Sequence, residues 1–511
     1  MRQINKILIA NRGEIALRII RSCSALGIQT VAVFSEADVF APYVRMANES
    51  IFIGPAASSK SYLVMGTIID AAISTGAQAI HPGYGFLSEN ATFAKKCQEA
   101  GIIFIGPSPN AIELMGDKMK ARALVKERGI PFPPGLVEPI FPENNVEQIA
   151  REIGYPILIK AAAGGGGKGM RIVHKESELR KAIKVAASEA QNAFGDARVY
   201  IEKYLENPRH IEIQILADKH GQYFHLFDRE CSIQRRHQKV VEEAPCVILT
   251  DDLREKMAQS ALDIARGCKY HGVGTVEFLV DKHLDYYFLE MNTRLQVEHP
   301  VTEMITGLDL VELQIQIARG EQLDLIQKDI QIHGHAIECR VYAEDPFNNF
   351  IPDIGFLSKH RIPSGLGIRV DSGVEEGTEV SIHYDPLISK LSVHAATREK
   401  AIQKMKAALN EYEIEGCQTT ISFCDYCMQH PNFIKGQYNT HFVSDFYLPD
   451  LEHNRLSSKY SKNLPNPSVI ALMAGILFER KSTNNEYKTS KVTSTSVNIS
   501  NDKPWWAARR N

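Results

Sequence analysis

At 511 residues the chain is too long for one hydrophobic core and implies two to four domains. With 44% hydrophobic and 23% charged residues its composition is ordinary for a soluble protein, and a formal net charge of -3 excludes the basic surplus that nucleic-acid binding requires. The longest apolar run, residues 469–478, is too short to span a bilayer, so no membrane partner is expected.

Near the start, Ile7-Leu8-Ile9-Ala10 gives way to Asn11-Arg12-Gly13-Glu14, which leaves no secretory hydrophobic segment. Nine cysteines without framework spacing suit free thiols in a reducing compartment, and the expected location is cytoplasmic. Lys6-Ile7-Leu8-Ile9 reads as a buried strand. Ile15, Ile19, Cys23 and Leu26 then recur at helical spacing up to Gly27, and residues 30–34 read as the next strand. Strand, helix, strand predicts a parallel α/β beginning. No GxGxxG follows the first strand, which argues against the dinucleotide-binding version.

A second α/β region is expected over residues 117–325, opening with a helix over residues 117–129. Residues 156–160 and 169–173 predict two strands, and between them lies Ala161-Ala162-Ala163-Gly164-Gly165-Gly166-Gly167-Lys168. Four successive glycines let main-chain N–H groups approach phosphate oxygens closely. Lys168 is followed by Gly169, not Ser or Thr, so this is not a Walker loop. The pattern predicts a hairpin flap over phosphates, with Lys118 and Lys160 able to add positive charge.

Residues 276–280 and 286–290 are apolar strands joined by Asp281-Lys282-His283-Leu284-Asp285. A turn symmetric about His283 and Leu284 places Glu277 opposite Glu290. Two carboxylates facing each other in apolar strands repel, and a divalent cation resolves this; Mg2+ takes one or two carboxylates plus substrate phosphates. Glu290, Asn292, Arg294, Gln296 and Glu298 then fall at every second position, so a continued strand points all five to one side.

Residues 334–447 are β-rich. There Arg340 shares a strand face with Glu338, and by themselves these residues read as a cross-strand ion pair. Cys424 and Cys427 have metal-like spacing, but no second pair completes a zinc site. Residues 482–503 read as a disordered linker. Trp505 and Trp506, just before Arg509 and Arg510, are of types favoured at protein interfaces, so the tail is expected to dock a partner.

At the metal hairpin the sequence is similar to a known family. Phe288-Leu289-Glu290-Met291-Asn292-Thr293-Arg294-Leu295 resembles the metal signature of the ATP-grasp ligases, shared with carbamoyl-phosphate synthases. Gln296-Val297-Glu298-His299-Pro300-Val301-Thr302-Glu303 more selectively resembles biotin carboxylases. So do Ala10-Asn11-Arg12-Gly13-Glu14-Ile15-Ala16, the block from His81 to Asn90, and the block from Arg235 to Pro245. The similarity covers about residues 1 to 447 in order.

The resemblance implies an α/β fold in four parts: an N-terminal parallel α/β domain (1–115), an ATP-grasp domain with a glycine-rich flap (116–330), a C-terminal β-rich α+β domain (331–447) and a tail (448–511). It implies that Lys118, Lys160, Gly166 and Gly167 hold ATP phosphates. Glu202, Lys203, Tyr204 and Leu205 would frame the adenine, with His210, Gln234 and His237 lining the nucleotide pocket. Glu277, Glu290 and Asn292 would bind Mg2+ or Mn2+, with two metal sites expected. Lys239, Arg294, Gln296 and Val297 would hold bicarbonate, Glu298 would be the general base, Arg340 would stabilise the biotin enolate and Tyr84 would help seat the biotin rings.

No Met-Lys-Met occurs; Lys118-Met119-Lys120 and Lys404-Met405-Lys406 both lie in helical stretches. Biotin is therefore expected on a separate biotin carboxyl carrier protein, with carboxyltransferase subunits as further partners and a homodimer as the assembly. Acetyl-CoA or a related acyl-CoA carboxylase is the expected setting, with the biotin carboxylase component of a two-subunit pyruvate carboxylase as the alternative. Another ATP-grasp ligase, or an inactive regulatory component, is a more distant alternative. The glycine run departs from some relatives in beginning Ala161-Ala162-Ala163, which implies a stiffer flap.

Overall fold

The computed structural model describes residues 3–136, 138–140, 145–162 and 170–452. The glycines of the flap tip, Gly166 and Gly167 among them, the linker and the tryptophan tail lie outside the described residues. Positions up to Phe446 form one unit; Tyr447 onward belongs to another, described only through the short helix Leu448–Glu452.

The expected βαβ start is present. β1 (Lys6–Ile9) and β2 (Gln29–Ser35) flank the helix Gly13–Ala25, and β1 pairs in parallel with both β2 and β4 (Ala79–His81). With β3 (Glu49–Gly54) and β5 (Ile103–Phe104) they form a parallel sheet in the order β3-β2-β1-β4-β5. Ile15, Ile19 and Cys23 repeat at helical spacing and are fully or nearly buried against Ile7 and Ile9, which fixes the helix on the sheet.

β6 (Ile157–Ala161), β7 (Arg171–Val173) and β8 (Val199–Lys203) make a three-stranded sheet. β6 and β7 pair antiparallel, Ile157 opposite Val173, so the arms of the glycine hairpin form as expected. Beside this sheet the helix Lys118–Glu127 begins at Asp117, whose side chain accepts from the Met119 and Lys120 N–H groups.

The largest sheet has eight strands. β9 (Arg209–Ala217), β10 (Tyr223–Arg235), β11 (Gln238–Ala244), β12 (Gly272–Val280) and β13 (Tyr286–Asn292) are joined by β14 (His335–Tyr342), β18 (Ile368–Ser372) and β19 (Leu387–Ala395). The order is β13-β12-β9-β10-β11-β14-β19-β18. The β11–β14 ladder thus carries one sheet across position 330. The short pairs β15 (Glu344–Asp345) with β16 (Ile351–Pro352), and β17 (Lys359–Arg361) with β20 (Glu413–Glu415), complete the strands of the described residues. Lys404–Met405–Lys406 and Cys424 and Cys427 lie on helices, Arg398–Glu411 and Ile421–Gln429 respectively. No helix of the described residues is long and apolar enough to cross a membrane.

Candidate active site

A cavity of about 1010 Å³ opens among the parallel sheet, the flap sheet and one face of the eight-stranded sheet. Of the side chains expected at the site, Tyr84, Lys118, Lys160, Glu202, Lys203, Tyr204, Leu205, His210, Gln234, His237, Lys239, Glu277, Glu290, Asn292, Arg294, Gln296, Val297 and Arg340 all line it. Glu298 sits directly behind the wall, fully buried.

Part of the lining is apolar: Leu158, Met170, Leu205, Leu279 and Leu289. Only Leu205 among these was expected from the sequence, because isolated aliphatic residues in strands carry no distinguishing pattern. Lys203 also lines the cavity, and its ammonium donates to the carbonyls of Gly154 and Tyr155 at 3.0 and 3.1 Å. Glu202 is buried and tied to Lys160 at 2.7 Å and to Arg122, so its carboxylate orients a lysine. Burial alone would raise the Glu202 carboxyl, but those two cations more than offset it and hold it lowered. The ammonium of half-buried Lys118 is lowered by burial, against the pull of Glu290. Gln234 donates to His210 Nδ1 at 3.1 Å and to the Cys231 carbonyl at 2.8 Å.

The hairpin β12–β13 places Glu277 opposite Glu290 as expected, by a different route. Val280 pairs with Tyr286, so the turn is centred on His283 alone; a bulge between the Glu277 and Phe278 pairs then restores the carboxylates to register. Leu284 adopts a left-handed φ of 67° to close that turn. Glu277 Oε1 accepts from Lys239, Asn292 and Gln296 at 2.9, 2.9 and 3.0 Å, and its Oε2 lies 3.1 Å from His210 Nε2. Burial opposes ionisation of Glu277, yet Lys239 and His210 hold its carboxyl well lowered. Glu290 makes no hydrogen bond or ion pair among the described residues, and burial together with Glu277 raises its carboxyl. A carboxylate lining a cavity without a fixed cation, opposite a second carboxylate and beside an amide oxygen, is a hard-oxygen donor set that fits Mg2+ or Mn2+.

The continued strand beyond Asn292 does not form. The chain leaves the sheet there and turns into the helix His299–Thr306, because that helix, with Pro300 at its start, must fold back over the sheet. The alternating side chains nevertheless converge. Arg294 donates to Asn292 Oδ1 at 2.9 Å and to Gln296 Oε1 at 3.3 Å, and Glu89 of the N-terminal region accepts from it at 2.8 Å.

Deepest lies a buried charge cluster. The Lys239 ammonium meets Glu212, Glu277 and Glu298 at 2.5, 2.9 and 2.6 Å. Arg340 donates through Nη2 to Glu298 Oε2 at 2.9 Å and through Nε to Glu242 Oε1 at 2.6 Å. The expected partner of Arg340, Glu338, instead accepts from Ser392 at 2.7 Å; Glu242 on the neighbouring strand takes its place because the Arg340 side chain leans across the β11–β14 ladder. Glu212, fully buried between Arg229 and Lys239, was missed, although His210, Glu212 and Gln214 alternate in an otherwise apolar strand much as Glu277 does. Tyr84 donates to Glu14 at the cavity rim. It is reached through Gly83, where φ is +62° and a Cβ would meet Asn11 and Ile15 at 3.0 and 3.1 Å. The Val297 carbonyl accepts from buried Lys390 at 2.8 Å.

Three family models match the chain in succession: "Biotin carboxylase, N-terminal domain" over residues 3–112, "Carbamoyl-phosphate synthase L chain, ATP binding domain" over 117–326 and "Biotin carboxylase C-terminal domain" over 338–445. The chain is 52% identical over 440 residues to biotin carboxylase of Halalkalibacterium halodurans, covering 86% of this chain and 97% of that one. It is 52% identical over 481 residues to a pyruvate carboxylase subunit of Methanothermobacter thermautotrophicus, covering 92% and 98%. The match to the human mitochondrial propionyl-CoA carboxylase alpha chain is 50% over 461 residues and spans 63% of that longer protein. Among solved structures, a β-γ-ATP complex of biotin carboxylase from Campylobacter jejuni superposes with a TM-score of 0.85 at 48% identity, covering 86% of this chain and 99% of that one. A biotin carboxylase domain dimer of Hydrogenobacter thermophilus 2-oxoglutarate carboxylase, with MgADP, ADP and bicarbonate, gives 0.85 at 47%, covering 88% and 99%.

The hairpin carboxylates, the flap sheet and the cavity they line, together with the family match, define an ATP-binding ligase of the ATP-grasp class. Within that class the chain belongs to the biotin carboxylase family.

Proposed function

We propose that the chain carboxylates biotin held on a separate carrier protein, using ATP and bicarbonate, as the biotin carboxylase component of an acetyl-CoA or related acyl-CoA carboxylase. The observation that carries this reading is Glu298, with one oxygen on Lys239 and the other on Arg340. Bicarbonate is a poor nucleophile and must lose a proton to attack the γ-phosphate; a carboxylate within reach takes it. Burial by itself would raise the Glu298 carboxyl, but Lys239 and Arg340 more than offset it and keep the group ionised. Those same cations, with Arg294, Gln296 and Val297, receive the bicarbonate anion. Its arrival shares their charge and returns basicity to Glu298.

Attack of the bicarbonate oxygen on the γ-phosphorus releases ADP and leaves carboxyphosphate. Its C–O bond then breaks to CO2 and inorganic phosphate, and the phosphate takes the proton of the ureido nitrogen. The nitrogen adds to CO2. Arg340, permanently charged, meets the enolate as it develops. Tyr84 seats the rings, Lys118 and Lys160 with Gly166 and Gly167 hold the phosphates, and Tyr204, Leu205, His210, Gln234 and His237 line the nucleotide. Glu277, Glu290 and Asn292 would hold Mg2+ or Mn2+, which supplies neutralisation of phosphate charge when bound.

A second reading, the biotin carboxylase component of a two-subunit pyruvate carboxylase, is favoured by the near-complete alignment with the Methanothermobacter pyruvate carboxylase protein. In either setting the partners are a biotin carboxyl carrier protein and a carboxyltransferase, with the chain as a cytoplasmic homodimer. Co-purification of the carboxyltransferase, followed by a panel of acyl-CoA esters and pyruvate, separates the two readings. ATP turnover equal with and without biotin contradicts both.

A further inference from the structure

Glu242 on β11 and Glu338 on β14 stand directly opposite one another in the antiparallel ladder, and neither side chain has any exposed surface. Each carboxyl has one oxygen engaged: Glu242 Oε1 accepts from Arg340 Nε at 2.6 Å, and Glu338 Oε2 accepts from Ser392 Oγ at 2.7 Å. Each also has one buried oxygen, Glu242 Oε2 and Glu338 Oε1, with no hydrogen-bond partner among the described residues. Two buried acceptors without a donor, on residues directly opposed in one ladder, are costly, and two like charges at such positions add repulsion.

The surrounding cations do not relieve this. Lys239, on β11 itself, is committed to Glu212, Glu277 and Glu298, and Lys390 on β19 to the Val297 carbonyl and Glu14. Arg340 already divides itself between Glu242 and Glu298. Among the described residues, other titratable groups around the pair include Cys231 on β10, Cys339 and Tyr342 on β14, and His299 and Glu303 on the helix His299–Thr306 packed over these strands.

We infer that Glu242 and Glu338 share one proton at neutral pH, with the Glu338 carboxyl donating to Glu242 Oε2, and that this pair positions Arg340 and fixes how much negative charge surrounds it. Rewriting one acceptor as a donor satisfies both orphaned oxygens with a single bond. It also leaves Glu242 as the one anion of the pair, holding the Nε edge of Arg340 while its Nη2 faces Glu298. Burial drives the titration upward, opposed for Glu338 by Lys390 and for Glu242 by Arg340, and places them at about 8 and about 7. The two titrate as a unit. Above that range a second full charge appears beside Arg340 and competes with an incoming anion for the guanidinium. The consequence for turnover rests on the role proposed for Arg340; the shared proton itself does not.

Two measurements on the full-length chain test this. Infrared spectra of the unmodified protein, taken as a pH series, should show a buried protonated-carboxyl band at neutral pH that fades through about pH 8 and is missing in Glu338→Gln. Biotin-dependent ATP turnover should fall on the alkaline side in the unmodified protein. Glu338→Gln keeps a donor to Glu242 and an acceptor for Ser392 while being unable to ionise, so it should move that fall upward by at least one pH unit; Glu338→Ala, equally unable to ionise but without the donor that helps position Arg340, should move the fall as well and lower turnover across the whole pH range. Absence of the band at neutral pH, or an alkaline limb in Glu338→Gln superimposable on the original, overturns the inference. A band present in a chain with no biotin-dependent turnover instead contradicts the proposed function and leaves the proton pair standing.

Discussion

Glu298 gives one carboxylate oxygen to the Lys239 ammonium at 2.6 Å and the other to Arg340 at 2.9 Å, so the proposed base and the proposed anion stabiliser form one buried unit. Their functions should accordingly separate only in substitutions that keep the unit's shape.

Glu298→Gln keeps the volume and one of the two acceptor oxygens that Lys239 and Arg340 use, but cannot take the proton. Turnover should fall by about 10² to 10⁴, the usual worth of a positioned base, while ATP affinity changes little. Steady-state rates together with nucleotide titration check this. A near-normal rate would remove Glu298 as the base.

Arg340→Ala should damage the biotin-dependent step most, because the charge is needed where the enolate develops. Arg340→Lys should not rescue it, since one ammonium cannot reach both Glu242 and Glu298 with the planar fork that makes the observed contacts. The check is kcat with biotin compared with bicarbonate-dependent ATP cleavage without it. Full rescue by lysine would reduce Arg340 to a simple counter-ion.

The hairpin shows what can be read from a sequence and what cannot. Its Glu277–Glu290 pairing was legible because apolar strands leave a carboxylate nowhere neutral to go. The bulge that secures the pairing was not, since a one-residue slip leaves no mark on the alternation. The convergence of Asn292, Arg294, Gln296 and Glu298 was anticipated on the wrong backbone, because only the packing of the helix His299–Thr306 reveals where the strand must end. Glu242 and Glu89 stayed hidden for a different reason. Their partners, Arg340 and Arg294, lie 98 and 205 positions away, and ladders and contacts at that range have no local signature.

Glu290→Gln should raise the Mg2+ or Mn2+ concentration needed for half-maximal turnover. A charged contact of ~1.5–3 kcal/mol lost from the donor set corresponds to about ten- to a hundredfold. Metal titration at saturating ATP measures it, and chelation of divalent ions should abolish turnover in the unmodified chain. An unchanged metal requirement would move the cation away from Glu290.

Stability should depend on Glu243, which turns to the opposite face of β11 and is bonded by His335, Arg398 and Tyr438. Burial would raise its carboxyl, but His335 and Arg398 hold it strongly lowered. A carboxylate lowered in the fold stabilises fully above its unfolded value of about 4.3 and loses that contribution as pH falls toward the folded one. Glu243→Gln should therefore cost about 3–5 kcal/mol at neutral pH, and the difference from the unmodified chain should shrink on acidification. Urea unfolding at pH 7 and at pH 3, well inside the window below about 4.3, checks both halves. A constant difference would show that the charge is not what stabilises.

The proposed reaction transfers a carboxyl group from bicarbonate to biotin. Isotopically labelled bicarbonate, ATP, Mg2+ and free biotin should yield labelled carboxybiotin together with one equivalent each of ADP and phosphate, and Glu298→Gln should abolish most of that label. ATP cleavage without label in biotin, or ATP cleaved at the same rate when biotin is omitted, would contradict this reaction.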